Sequence, residues 1–163
     1  MLSRLQLLLF LPVFLWLVAC TIVEDKPVEP ETLTETNTYS AWQLSDAERR
    51  SASSNRAVSL LLAQADELIA AENFDQAGDK LERLVRIEPK SAQAWSRLAW
   101  MSLKNGEAKR SQQLAQRSNS YARDNTRLKI LNWNFIQKAA ELLNDADLVQ
   151  QAQKMLMQLG SGE

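Results

Sequence analysis

Residues 57–89, AVSLLLAQADELIAAENFDQAGDKLERLVRIEP, and residues 91–123, SAQAWSRLAWMSLKNGEAKRSQQLAQRSNSYAR, decide how the chain folds. In the first stretch Val58, Leu61, Leu62, Ala65, Leu68 and Ile69 recur at spacings of three and four, which gathers them on one face of a helix. Glu72-Asn73 interrupts the pattern, and Phe74, Ala77, Leu81, Leu84, Val85 and Ile87 resume it as a second helix. Pro89 closes the unit, because proline breaks the helix before it and suits the first turn of the next. A shift of 34 residues lays the two stretches over each other, matching Leu61 with Trp95, Ala65 with Ala99 and Ala77 with Ser111. Each stretch is one helix–turn–helix unit. Small residues at the matched positions let two antiparallel helices approach closely.

The pattern extends both ways. Upstream, Ser45-Asp46-Ala47-Glu48 is a capping box, so the first helix is expected to begin there and run to about Ala71. Downstream, a third pair is expected over 126–143 and 146–159. Ala152 stands 75 residues after Ala77, two periods plus seven, which makes the third unit irregular and suits it to a cap. Repeat units bury their faces only against neighbours, and a stack of about three is the usual minimum.

The 34-residue period resembles the tetratricopeptide repeat. Trp95, Leu98 and Ala99 match its large-x-x-Leu-small first helix, Gly106 its small turn residue, and Ala77, Leu81 and Pro89 its second helix and terminal proline. Ser111, Ala108 and Arg123 depart from the pattern. The resemblance implies an all-α solenoid of about three helix pairs over 45–163, with the first helix of each pair lining a concave groove. Its groove positions fall on Gln93, Ser96, Trp100, Leu103 and Lys104 in the second unit, and on Ser59, Leu62, Asp66, Ile69 and Ala70 in the first. Trp95 falls at a core position. Trp100 points into the groove, where an aromatic anchors a partner well, unless Tyr39, Trp42 or the third pair covers it. Trp133 is open to the groove or to the core, and the face it shares with Ile136 and Ala140 favours packing. The basic run Lys109-Arg110, Arg117, Arg123, Arg127, Lys129 reads as a solvated face, with acidic partner surfaces or the cell wall as the alternative.

The N-terminus reads MLSRLQLLLFLPVFLWLVAC. Arg4 precedes an apolar run too short for a comfortable membrane span, as in a secretory signal. Leu17-Val18-Ala19-Cys20 matches a lipobox, so residues 1–19 are expected to be a lipoprotein signal peptide and Cys20 the lipidated residue. Its thiol would take a diacylglyceryl group and its freed amine a further acyl chain such as palmitate, since one chain alone anchors a protein only marginally. Thr21, where an inner-membrane retention signal would place Asp, directs the expected location to the outer membrane, facing the periplasm. Residues 20–44 are rich in Thr, Glu and Pro without a sustained apolar period, and are expected to form a disordered tether. Its extended reach is about 80 Å. Tyr39 and Trp42 stand out in it as residues expected to start packing against the first helix.

Composition narrows the function. With 19 Lys and Arg against 20 Asp and Glu, the net charge is −1, far from the positive excess that nucleic acid requires. Histidine is absent and the single cysteine stands at the lipobox, which removes the commonest general base and metal ligand. No phosphate loop, nucleophile elbow or paired-carboxylate pattern occurs. A non-enzymatic module is expected, with no cofactor, metal or small-molecule substrate.

Residues 56–157 further resemble a family of short tetratricopeptide lipoproteins of gammaproteobacteria. The resemblance rests on AWSRLAWMSLKNGEAKRSQQLAQRSN and LKILNWNFIQKAAE, which are similar to that family's Trp-x-x-Leu-Ala, Gln-Leu-Ala-x-Arg-Ser-Asn and Asn-Trp-x-x-Ile segments. The family includes outer-membrane activators of class A penicillin-binding proteins, the bifunctional peptidoglycan synthases. It implies a protein partner of that kind, bound better in its active conformation than in its resting one. The alternative is a pilotin-like assembly scaffold for a secretin, pilus or barrel machine, which would share the anchor and the fold.

Overall fold

Six helices follow one another: α1 (Arg56–Ala70), α2 (Phe74–Ile87), α3 (Ala92–Lys104), α4 (Ala108–Tyr121), α5 (Thr126–Leu142) and α6 (Ala146–Gly160). The computed structural model describes Thr38, Trp42 and residues 56–161. The signal peptide, Cys20, Tyr39 and the Ser45 capping box lie outside the described residues. Among the described residues there is no strand and no helix long and apolar enough to cross a membrane.

The helices pack in consecutive pairs, α1 with α2, α3 with α4 and α5 with α6. The turns within the pairs explain the period. Glu72 and Gly106, 34 positions apart, both adopt left-handed backbone, with φ of 55° and 77°. That conformation ends a helix and reverses the chain. Asn144, φ 55°, repeats it 38 positions later, because α5 has 17 residues where α3 has 13. One added helical turn thus accounts for most of the irregularity in the third unit.

Helix starts are fixed by side chains. Asn73 accepts a hydrogen bond from the Gln76 amide at 3.4 Å, Asn125 from Leu128 at 2.9 Å and Asp145 from Leu148 at 3.1 Å. Each satisfies an amide that the first turn leaves without a helical partner.

The core runs along the inner faces. Val58, Leu61, Leu62, Ala65 and Ile69 of α1 meet Ala77, Leu81 and Leu84 of α2, and Leu128, Leu131, Phe135 and Ile136 of α5 continue the same cluster. In α6 only Leu148 and Ala152 are buried. The outer face of α6 is left to water, as a terminal repeat requires.

Candidate protein-binding groove

Helix α3 is buried on every side: eleven of its thirteen residues, Ala92 to Ser102, are inaccessible or nearly so. Helices α2, α4 and α5 cover part of it. The groove positions Gln93, Ser96 and Trp100 are covered as well, being 6%, 0% and 6% exposed. What covers Ser96 and Trp100 includes Trp42.

Trp42 is 0% exposed and helical, as is Thr38 four residues earlier. That spacing puts both on one side of a helical turn, and Thr38 is buried too. Within the stretch read as tether, these two residues belong to the folded part. The Trp42 indole N–H donates to Ser96 Oγ at 3.1 Å. Its ring meets the Trp100 ring edge to face, centroids 5.7 Å apart and planes at 81°. The Arg97 guanidinium lies 4.9 Å from its ring centroid.

Arg97 is itself held from the first repeat. Its Nε and Nη2 donate to the two carboxylate oxygens of Asp66 at 2.6 and 2.7 Å, and its Nη1 donates to the Gln93 carbonyl at 3.2 Å. Arg97 is fully buried while Asp66 keeps 24% of its side chain exposed. A buried guanidinium survives only when such partners replace its water. On the far side of Trp100, Phe74 stands edge-on at 5.9 Å and the Lys104 ammonium lies 5.7 Å from the ring centroid.

The groove positions thus divide. Asp66, Gln93, Ser96, Trp100 and Lys104 converge, joined by Arg97 and Trp42. Leu103 and Trp133 are half-buried against the core, Trp133 on the face it shares with the buried Ile136 and Ala140. Sequence reasoning missed Arg97. The signal was there: Arg97 lies one turn from both Gln93 and Trp100, and 31 residues after Asp66, one period less three. Trp95, read as core, is 9% exposed. Its indole N–H donates to the Pro89 carbonyl at 2.8 Å, tying the helix end to the turn that Pro89 makes. Arg117, read as part of a solvated face, lies 4.0 Å from the centroid of Trp95.

A second polar cluster sits between α3, α4 and α5. Asn132 Nδ2 donates to Ser118 Oγ at 2.7 Å and to Asn119 Oδ1 at 2.9 Å, and Ser118 Oγ donates to the Ala92 carbonyl at 2.8 Å. Asn132 and Ser118 are fully buried. No group of three His, Cys, Asp or Glu among the described residues could hold a metal ion.

Burial changes the expected behaviour of Trp100. Truncation to Ala would open a cavity beneath Trp42 and beside Phe74, at a cost of about 3–5 kcal/mol. Lys104, at the exposed end of the same helix, can be changed without emptying the core.

Comparison with known proteins agrees with this architecture. The family model for the tetratricopeptide repeat matches residues 68–131. No curated protein matches the chain. Among solved structures, the globular C-terminal domain of P. aeruginosa LpoP is similar at 30% identity and a TM-score of 0.57, over 63% of this chain and 98% of that domain. With nearly the whole of that domain matched, the chain belongs to the family of tetratricopeptide-repeat proteins that includes P. aeruginosa LpoP.

Proposed function

We propose that this protein is a lipid-anchored module, held to the outer membrane through Cys20 and facing the periplasm, that binds and activates a class A penicillin-binding protein. The observation that carries the reading is the match to nearly the full length of the LpoP domain at 30% identity. The lipobox ending at Cys20 and the family segments around Trp95, Ser118 and Asn132 support it from the sequence. The repeat supplies the binding surface, and the stretch between Cys20 and Thr38 supplies the reach from membrane to partner. Activation then follows from differential affinity: a ligand shifts its partner only as far as it prefers the active conformation.

The test is glycan polymerisation by the purified class A synthase of the same organism, with and without the full-length protein. Stimulation of about tenfold, corresponding to about 1.4 kcal/mol of coupling, is expected. Lys104→Glu, at the rim of the groove, should weaken it while costing the fold no more than one exposed cation over Trp100, about 0.5–1 kcal/mol. Unaltered synthase activity, with secretin, pilus or barrel-assembly proteins recovered on the same bait, would replace the activator by an assembly scaffold.

A further inference from the structure

A crevice of about 190 Å³ lies between α2 and the side of α3 turned away from Trp42. Leu98, Met101, Ser102 and Asn105 recur at three and four residues, so they share one face of α3 and form one wall. Asp75, Gly78, Asp79 and Glu82 of α2 form the other, and Glu107 and Arg110 close one end. The volume is that of about six water molecules, enough for one long side chain and too little for a helix.

The α2 wall is acidic. Asp75, Asp79 and Glu82 stand at i, i+4 and i+7 on one stripe, all exposed. Among the described residues none of the three forms an ion pair. Arg83 and Arg86 follow Asp79 and Glu82 by one helical turn, the spacing at which such pairs form, and still do not take them. Arg110, the cation at the crevice, is held by Glu107 at 3.1 Å.

Carboxylates alone would describe a solvated helix face. Two other residues do not fit that description. Ser102 lines the crevice at 4% exposure, and its hydroxyl has no hydrogen-bond partner among the described residues. A buried hydroxyl left so costs free energy. Gly78 stands in mid-helix, where glycine is less stable than alanine. Its backbone is not left-handed, and a Cβ there would meet only Met101 Cε, at an ordinary 3.7 Å. Neither turn nor close packing asks for glycine; its effect is to widen the crevice beside Asp79 and Glu82.

We infer that the crevice receives an arginine side chain from a basic segment of the protein partner. The inference rests on the binding-module reading and adds a second contact surface with a stated chemistry. The five N–H donors of a guanidinium spread in one plane. They reach the carboxylates of α2 and the Ser102 hydroxyl of α3 together, while the methylene stem lies on Leu98 and Met101. A lysine ammonium is a point charge and serves one wall at a time.

The test is a titration of the 15N-labelled full-length protein, in detergent micelles, with hexa-arginine amide, followed by backbone amide shifts. Shifts should concentrate on residues 75–82 and 98–107, and should vanish with hexa-citrulline, which keeps the size and loses the charge. Asp79→Asn with Glu82→Gln should weaken binding by up to about tenfold. Ser102→Ala should weaken it about fivefold, the loss of one hydrogen bond. Gly78→Ala should weaken it by at least about fivefold, because an added methyl overpacks the filled crevice, while raising the denaturation midpoint, because alanine favours the helix. A solvated acidic face would respond to the carboxylates alone. Unchanged affinity in Ser102→Ala or Gly78→Ala, shifts spread equally to Glu141 and Asp147, or equal binding of hexa-lysine overturns the proposal. The titration contains no synthase, so failure of the activator reading and failure of the crevice are distinguishable.

Discussion

The two junctions between helix pairs are built from different side chains. Between the second and third pairs, α4 packs along α5, and the polar link is made by Asn132, Ser118 and Asn119 at 2.7 and 2.9 Å. Between the first and second pairs the helices meet more sparingly, and the link is Arg97 on Asp66, with Phe74 on Trp100 and Trp42 over both Arg97 and Trp100. Short side chains can join two helices only where the backbones are close. Long ones bridge a wider gap and leave room beside themselves, which here Trp42 occupies. One junction is a seam of short side chains, the other a bridge of long ones with Trp42 packed beside it.

The sharpest way to break the contrast is to remove one end of the bridge. Asp66→Ala leaves the Arg97 cation buried without its carboxylate, and should destabilise by about 2–4 kcal/mol, the lower part of the range for a broken buried pair because Asp66 is partly in water. Chemical denaturation measures it. A loss below about 1 kcal/mol, as for a surface pair, would mean that the bridge does not hold the junction. The double change Asp66→Leu, Arg97→Met should recover most of the stability, since apolar replacements of a buried pair are often neutral, while still loosening Trp42. At the seam, Asn132→Ala leaves Asn119 Oδ1 without its donor and should cost about 1–3 kcal/mol. It should leave exchange of the Trp42 indole unchanged; acceleration there would join the two junctions into one cooperative unit. The smallest effect belongs to Arg117→Ala, which removes the cation from Trp95 at an exposed site, worth about 0.5–1 kcal/mol. A thermal melt should register it with neither junction altered.

Much of the fold was legible because it is periodic. The 34-residue shift placed Gly106 opposite Glu72, and both turned out to carry the left-handed turn. The α2 span, Phe74–Ile87, and the stop at Pro89 followed from local rules. The longer α5 was legible as well: a pair expected over 126–143 and 146–159 stands at Thr126–Leu142 and Ala146–Gly160, with Asn144 between them adopting the conformation that Gly106 holds.

The groove was legible in part. The repeat register put Ser96, Trp100 and Asp66 on one surface, and they meet there. Arg97 was missed although its spacing to Gln93, Trp100 and Asp66 carried the signal, because a charged residue in a helix reads as solvent-facing until its partner is known to lie across from it. Trp42 was visible as an aromatic in a polar stretch, but its docking site on α3 depends on a contact across 54 residues, which no local pattern encodes. The family segments were read as signatures of kinship. Ser118, Asn119 and Asn132 show their physical content: they are the hydrogen-bonded seam between α3, α4 and α5.

The edge-to-face geometry of Trp42 and Trp100, 5.7 Å between centroids, has an optical side. Two indoles that close, in a fixed asymmetric arrangement, share their electronic excitations and as a pair absorb left- and right-circularly polarised light unequally. Ring separation governs that coupling, so it fades when one partner leaves. The dichroism of the unlabelled chain therefore carries its own signal for whether Trp42 is packed against Trp100.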